Sequence, residues 1–191
     1  MIKILNTGLK GFNIIETKCF QDSRGFFLET YHEDLYKKAG INDKFVQDNQ
    51  SRSKKGVLRG MHFQLNRPQA QIVTVLNGSI YDVGVDLRLN SPTFGKSFGV
   101  YLNDIEQRQI YLAPGFAHGF CVLSDTADLH YKVSRFYDPE DECGLHWNDP
   151  DVNIKWPSIK LSINKRDQNF NSLASLKSNG LLPQDPPVER R

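Results

Sequence analysis

The sequence predicts an all-β fold, either closed on itself or built as a sandwich, and three observations support this. Short runs rich in β-branched and aromatic residues follow one another along most of the 191-residue chain. Glycine, proline, asparagine and aspartate separate these runs at intervals typical of turns. The length suits one domain with a sizeable core. Many short strands joined by turns favour a sandwich or barrel.

The individual elements are assigned from the hydrophobic pattern, in chain order. Extended runs occupy residues 13–17 and 25–31, and residues 33–40 are predicted to form a short helix that ends at a glycine. Residues 71–88 are predicted to form a β-hairpin, because Asn77-Gly78 is a favoured two-residue turn between β-branched runs. Further strands are predicted in the segments SFGVYL, RQIYLA, GFCVLS and DLHYKVSRFY.

Side chains alternate along the second half of the predicted hairpin. One face carries Tyr81, Val83, Val85 and Leu87, and the other carries Ile80, Asp82, Gly84 and Asp86. The alternation of strand-like runs and turns is lost towards the C-terminus, where the last segment contains three prolines. We therefore assign residues 1–175 to one domain and residues 176–191 to a flexible tail.

Charge and cysteine usage limit the possible function classes. The net charge of +2 gives no reason to expect electrostatic binding to nucleic acid or to an anionic membrane. No signal peptide and no membrane-spanning run is recognised. The three cysteines lack metal-type spacing, which favours reduced thiols and a cytoplasmic protein.

Two histidines lie beside glycines in strand-like segments: His62 in RGMHFQ and His118 in APGFAHGF. A lone histidine on an apolar strand is more often a packed core residue than a functional one. A metal site would need several convergent histidine or carboxylate ligands. No H-x-H pattern occurs, and no carboxylate stands at a matching offset after His62, so we predict no metal.

Polar residues cluster in two other segments. Arg24 lies in FQDSRGFFLET, where an arginine beside aromatic faces would suit a phosphate and a base, although a surface arginine before a strand is an equal alternative. Segment 47–60 carries amides, serines and lysines that could bind a sugar or a diphosphate, or simply form a solvated loop. There is no glycine-rich phosphate-binding motif. Alone, Tyr131 is interpreted as a packing residue, and Asp167 as a surface charge or helix cap.

Taken together, the chain resembles the dTDP-4-dehydrorhamnose 3,5-epimerase family. Matching strings occur in family order between about residues 3 and 168: FQDSRGFFLETY, FVQDNQSRSKKGVLRGMHFQ, VDLRLNSPTFGKSFGVYL, PGFAHGF, DLHYKVSRFYDP, HWNDPDVNIKWP and LSINKRD. The resemblance implies a cupin jelly roll (double-stranded β-helix) with short peripheral helices, and a homodimer. It also implies epimerisation of a nucleoside-diphosphate 4-keto-6-deoxyhexose, without metal or organic cofactor, in deoxysugar biosynthesis for surface polysaccharide such as O-antigen.

The resemblance also implies residue roles. His62 matches the family base, Asp167 the carboxylate that orients it, and Tyr131 the acid on the opposite face. Arg59 matches a contact to the reacting sugar, and His118 with Asp82 matches a second buried pair near the active site, structural or catalytic. His118 is also predicted to contact the substrate. Nucleotide-sugar contacts are implied for Arg24, Phe26, Glu29, Gln47 and Asn49. Strict alternation would put Arg59 and His62 on opposite faces of a strand, so a bulge is predicted at Gly60.

The sequence departs from the family pattern in the string LAPGFAH, where I-P-x-G-F-A-H is usual, and at three single positions, and we expect these changes to cluster around the sugar. Gln71 stands where a lysine is usual, Tyr111 where tryptophan is common, and His130 where an apolar residue is typical. Gln71 donates hydrogen bonds but supplies no charge to a developing enolate, which can cost about a hundredfold in rate. The enzyme would then be slower, act on another sugar or at one carbon, or bind nucleotide sugars without turnover.

Overall fold

The computed structural model describes residues 2–183, which fold mainly into β-strands. The strands are β1 (Lys3–Asn6), β2 (Phe12–Glu16), β3 (Cys19–Asp22), β4 (Gly25–Leu28), β5 (Gln47–Lys54), β6 (Val57–Gln64), β7 (Gln71–Asn77), β8 (Ser79–Asp86), β9 (Ser97–Asn103), β10 (Gln109–Leu112), β11 (Phe116–Val122), β12 (Thr126–Val133), β13 (Glu142–Gly144) and β14 (Ser162–Ile163). The helices are α1 (Glu33–Lys38) and α2 (Leu173–Ser178), and a 3-10 turn spans Asp167–Asn169. The predicted all-β class is confirmed.

Two sheets form the body of the molecule. The first has strand order β1-β2-β10-β7-β12-β5, and the second has order β13-β6-β11-β8-β9, with β14 added in parallel beside β6. The other pairs are antiparallel, and β3 and β4 pair only with each other as a separate hairpin. Successive strands repeatedly cross between the two sheets, as in a jelly roll.

The predicted hairpin over residues 71–88 is wrong. Its two halves are the strands β7 and β8, but β7 pairs with β10 and β12 in the first sheet, whereas β8 pairs with β9 and β11 in the second. The turn at Asn77-Gly78 therefore carries the chain between sheets. Gly78 has a φ of +83°, and a Cβ there would lie 2.2 Å from the Thr126 carbonyl oxygen, so the crossing requires glycine.

The hydrophobic core confirms the predicted alternation along β8. Ile80 packs into a cluster between the sheets that includes Phe12, Val73 and Leu129. Val83, Val85 and Leu87 pack into a second cluster with α2. Both faces of this strand are thus covered, which explains why its apolar content is high.

Short helices cover the outside of the sheets. In α1, Tyr36 is buried, and its hydroxyl donates to the Thr30 carbonyl and to Gln109. In α2, the Ser172 hydroxyl accepts a hydrogen bond from the Ser175 N–H and caps the helix. Leu176 and Leu182 are buried in the second cluster, so the packed domain extends beyond the predicted boundary at residue 175. The rest of the predicted tail, residues 184–191, lies outside the described residues.

Candidate active site

A cavity of about 390 Å³ lies between the two sheets. The first sheet contributes Asn49, Ser51, Gln71 and Tyr131, and the second contributes Arg59, His62 and His118. Further wall residues come from the segments around Pro68, Tyr137, Glu142 and Arg166. Two sequence-predicted groups, the base and the acid, thus lie on facing sheets with the cavity between them.

A bulge in β6 places Arg59 and His62 at the same cavity, as predicted. His62 pairs with His118 of β11, whereas Arg59 pairs with Phe120, so three steps along β6 match two steps along β11. Gly60 has a φ of +125°, and a Cβ there would lie 2.6 Å from Gly119 Cα. Only glycine fits this close approach of the two strands without a shift.

His62 forms an ion pair or hydrogen bond with the buried Asp167. Its Nε2 lies 3.0 Å from Asp167 Oδ1, and the Gly60 N–H donates to Asp167 Oδ2 at 3.0 Å. Burial alone would raise the pKa of Asp167, but hydrogen bonds from His62, the Gly60 N–H and Arg166 lower it to about 2. The carboxylate is therefore ionised at neutral pH. The bulge thus both brings His62 to the cavity and holds the carboxylate behind it.

The second predicted pair lies beside the first. His118 Nε2 is 3.0 Å and 2.9 Å from the two carboxylate oxygens of Asp82, whose side chain is fully buried. Because His118 and His62 are register partners, the two imidazoles occupy neighbouring positions on adjacent strands. Only 11% of the His118 side chain is exposed, against 27% for His62. The role of His118 as a substrate contact stays a prediction.

Tyr131 and Arg59 are the other predicted sugar-end residues at the cavity. Burial raises the pKa of Tyr131, the charge of Arg59 opposes this, and that of Glu142 adds to it. The phenol therefore keeps its proton at neutral pH, as a proton donor must. Arg59 donates from Nε to the Ser53 hydroxyl at 3.0 Å, a neutral partner that leaves its charge available to a ligand.

Of the three single-residue departures from the family pattern, one lies at the cavity. Gln71 lines it, next to Gln69 and Pro68. Tyr111 instead points to the outer face of the first sheet, where its hydroxyl donates to Asp43 at 2.6 Å. His130 Nε2 is 3.7 Å from Asp48 Oδ2. By strand alternation, the His130 side chain lies on the opposite face of β12 from Tyr131. The expectation that these changes cluster around the sugar is wrong for Tyr111 and His130.

The predicted nucleotide contacts are divided between two places. Asn49 lines the cavity, and Gln47 lies behind it, donating to Asn49 Oδ1 at 2.8 Å and accepting from the Tyr137 N–H. Arg24 and Phe26 lie on the exposed β3–β4 hairpin, and Glu29 follows it. These three do not line the cavity of their own chain.

Sequence reasoning missed three cavity residues that the structure brings to the base. Arg166 Nη1 contacts Glu142 Oε2, its Nε donates to Asp167 Oδ1 at 3.2 Å, and the Tyr137 hydroxyl donates to Glu142 at 3.0 Å. Arg166 stands directly before Asp167 in the LSINKRD string, and this adjacency was the available signal. Glu142 had no local signal, because it reaches the site through the pairing of β13 with β6.

Two further properties concern the described part of the chain. Within residues 2–183, no helix is long and apolar enough to cross a membrane. Over the same residues, no three histidine, cysteine or carboxylate side chains converge closely enough to hold a metal ion.

The family model described as dTDP-4-dehydrorhamnose 3,5-epimerase matches residues 6–175, which contain both sheets apart from most of the edge strand β1, and all the groups around His62 described above. The chain belongs to this family. Epimerisation, the activity in the family's description, requires proton transfer. The histidine paired with a carboxylate and the tyrosine at the same cavity are groups suited to that chemistry.

Individual relatives agree with the assignment. The dTDP-4-dehydrorhamnose 3,5-epimerase of Methanothermobacter thermautotrophicus is 44% identical over 174 residues, covering 90% of this chain and 94% of that protein. The dTDP-4-dehydrorhamnose 3-epimerase of Streptomyces niveus is 43% identical over 178 residues, covering 92% of this chain and 86% of that protein. The family thus includes close relatives named for two centres and for one.

A solved structure supports the fold. The dTDP-6-deoxy-D-glucose-3,5-epimerase of Legionella pneumophila, in complex with dTDP-4-keto-L-rhamnose, superposes with a TM-score of 0.92 and 44% identity. The match covers 97% of this chain and all of that one. The predicted cupin-type jelly roll of this family is confirmed.

Proposed function

We propose that this protein inverts C3 and C5 of a nucleoside-diphosphate 4-keto-6-deoxyhexose. One observation carries the proposal: His62, backed by Asp167, and Tyr131 belong to facing sheets on either side of one cavity. Epimerisation requires a base on one face of the sugar and an acid on the other. A sugar ring between the sheets meets both requirements.

The chemistry follows from the protonation states of these groups. The 4-keto group acidifies the hydrogens on C3 and C5, and His62 takes one of them while the C–H electron pair moves into the enolate. Ionised Asp167 stabilises the resulting imidazolium, and Arg59 stabilises the enolate oxygen. Tyr131 then gives its proton to the opposite face of the carbon, and solvent restores both side chains. The same sequence at the second carbon completes the reaction.

The exposed hairpin supports a homodimer in which each protomer completes the other's site. Phe20, Phe26 and Phe27 on this hairpin are 51%, 58% and 68% exposed, an apolar surface that needs a cover. A lone two-stranded hairpin is only marginally stable. If it docks on a second copy, Arg24, Phe26 and Glu29 reach the partner's cavity and bind the nucleotide there.

The substrate that we propose carries dTDP, as the names of the relatives suggest. The product would enter deoxysugar biosynthesis for surface polysaccharide, and the reaction would take place in the cytoplasm. The three free cysteines suit a reducing compartment.

A deuterium experiment tests the proposal. The protein is incubated in deuterated water with a dTDP-4-keto-6-deoxyhexose, and the sugar is followed by NMR. The proposal expects deuterium at both C3 and C5 with inverted configuration. Binding of several such sugars without any label would exclude enzymatic activity and leave a nucleotide-sugar-binding cupin.

Gln71 favours a second candidate, a one-centre epimerase or a ketoisomerase. It lines the cavity where the family pattern has a lysine, and one close relative is named a 3-epimerase. Label at one carbon only, or a carbonyl moved along the ring, would identify this candidate. Gln71→Lys is the matched variant: it restores the cation, and a gain of label at the second carbon would assign the difference to this position.

A further inference from the structure

Arg166 bridges the two carboxylates on the His62 side of the cavity. Its Nη1 contacts Glu142 Oε2, and its Nε donates to Asp167 Oδ1 at 3.2 Å. Its Nη2 lies 3.1 Å from His62 Nε2. The side chain is 52% exposed and lies with its guanidinium over the ring of Phe170, which also contacts the His62 ring edge to face. One guanidinium therefore touches the base and both of the acidic groups beside it.

The same nitrogen of His62 faces two groups with opposite preferences. Asp167 Oδ1 at 3.0 Å favours a proton on Nε2 and favours the charged imidazolium. Arg166 Nη2 at 3.1 Å disfavours the charged imidazolium, because the guanidinium and the imidazolium both carry positive charge. Asp167 Oδ1 is itself shared, since Arg166 Nε donates to it as well.

The charges around His62 come from every element packed against it. They are Asp167 and Arg166 at the 3-10 turn, Glu142 on β13, His118 on β11, and Arg59 and Tyr131 on the cavity wall. Without Arg166, two carboxylates on the His62 side would have no cation between them. They would favour a protonated imidazole, which cannot accept the hydrogen of the sugar.

We propose that Arg166 is a positioning residue that offsets the negative charges of Asp167 and Glu142 and so opposes protonation of His62. Its importance for turnover rests on the proposed function, because only a neutral His62 can act as the base. Its effect on the protonation of His62 does not require turnover. When His62 takes the substrate proton, Arg166 keeps its contact with Glu142, and the imidazolium keeps Asp167.

Side-chain NMR of His62 in the full-length protein tests this without substrate. The imidazole signal is assigned by its loss in His62→Gln, and its titration midpoint is compared between the wild type and Arg166→Gln. Removing one charge at this distance is expected to raise the midpoint by about one pH unit. Arg166→Lys retains the charge and is expected to stay near the wild type.

Two further variants make the result specific. Glu142→Gln removes a carboxylate and is expected to move the midpoint in the opposite direction, downwards. Arg52→Gln breaks another arginine–aspartate contact, with Asp128 at 2.6 Å on the outer surface, and is expected to leave the midpoint unchanged. An unchanged or lowered midpoint in Arg166→Gln would overturn the proposal, as would an equal rise in Arg166→Lys.

The pH profile of kcat/KM links the protonation of His62 to catalysis. The apparent pKa of its acidic limb is expected to rise in Arg166→Gln by the same amount as the NMR midpoint. A limb that stays in place while the midpoint moves would contradict the positioning role. A midpoint that moves as expected in a protein with no turnover would support the electrostatic role of Arg166 and remove the proposed function instead.

Discussion

The cavity contains two histidine–aspartate pairs on neighbouring strands, and their surroundings differ. Asp82 directs both of its oxygens at one nitrogen of His118, with distances of 3.0 Å and 2.9 Å. Asp167 divides its oxygens among His62, Arg166 and the Gly60 N–H. The first arrangement fixes a ring in place. The second holds the carboxylate of Asp167 in place and puts charged groups of both signs next to the His62 ring. These charges change the free energy of adding a proton to that ring.

The two histidines also differ in how far their side chains are exposed. The side chain of His62 is 27% exposed to the cavity, and that of His118 is 11% exposed. We infer that His62 transfers protons and that His118 holds the substrate as a hydrogen-bonding group. The two pairs thus have similar distances but different surroundings, and we expect the groups beyond each pair to decide whether its imidazole takes up a proton.

The largest expected effect is that of removing His62. His62→Ala should lower kcat/KM by at least about a thousandfold, because it removes the group that we propose as the base. Steady-state kinetics on the keto sugar measures this, with the circular dichroism spectrum as the control for folding. Activity within about tenfold of the wild type would show that the pairs have been assigned the wrong way round.

Tyr131 provides the next test, because it lies on the sheet that faces both histidines. Tyr131→Phe should lower the rate of inversion by about a hundredfold or more while hydrogen removal continues. NMR in deuterated water separates these steps, since label would then enter with retained configuration. Loss of label together with inversion would mean that Tyr131 takes part in proton removal, and the two-sided mechanism would fail.

The role of His118 predicts a smaller loss. His118→Gln keeps a hydrogen-bonding side chain and should lower kcat by about a hundredfold or less, in the range seen when one electrostatic donor is lost. Asp82→Asn should act in the same direction through the orientation of the ring. A loss as large as that of His62→Ala would give both histidines an equal part in the chemistry.

The smallest expected effect concerns stability rather than rate. The pKa of Asp167 is about 2 in the folded protein and 3.8 as its ordinary value. A carboxyl with a depressed folded pKa stabilises the fold above its ordinary pKa, and that contribution disappears as the pH falls through the folded value. The free energy of unfolding should therefore lose about 2 kcal/mol from this group between about pH 4 and pH 2. Denaturant unfolding of wild type and Asp167→Asn should show a difference that narrows over this interval; a constant difference would argue against an ionised Asp167.

Two features of the fold show what could and could not be predicted from the sequence. The bulge at Gly60 could be predicted, because Arg59 and His62 are three residues apart and both were expected at one cavity. The pairing of β7 and β8 could not, because a favourable turn at Asn77-Gly78 constrains only the local chain, whereas the choice of partner strand depends on the whole sheet. The hairpin prediction failed for that reason.

The site shows the same division. His62, Asp167 and Tyr131 were found through strings that match a family, and the structure brings them to one cavity with Arg59, Gln71 and His118. Their local patterns alone favoured packing or surface roles. Glu142 was missed because only the β13–β6 pairing brings it to Arg166. The outward orientation of Tyr111 and His130 was missed because it depends on which face of each strand points towards the cavity.

The most direct test of the central claim, that His62 and not His118 removes the hydrogen, is isotope exchange in matched variants. Wild type, His62→Ala and His118→Ala are incubated with the same keto sugar in deuterated water, and label at C3 and C5 is followed by NMR. We predict that His62→Ala incorporates no deuterium at either carbon, whereas His118→Ala does so slowly at the carbons labelled by the wild type. Exchange in His62→Ala at the wild-type rate, or its loss in His118→Ala alone, would contradict the account.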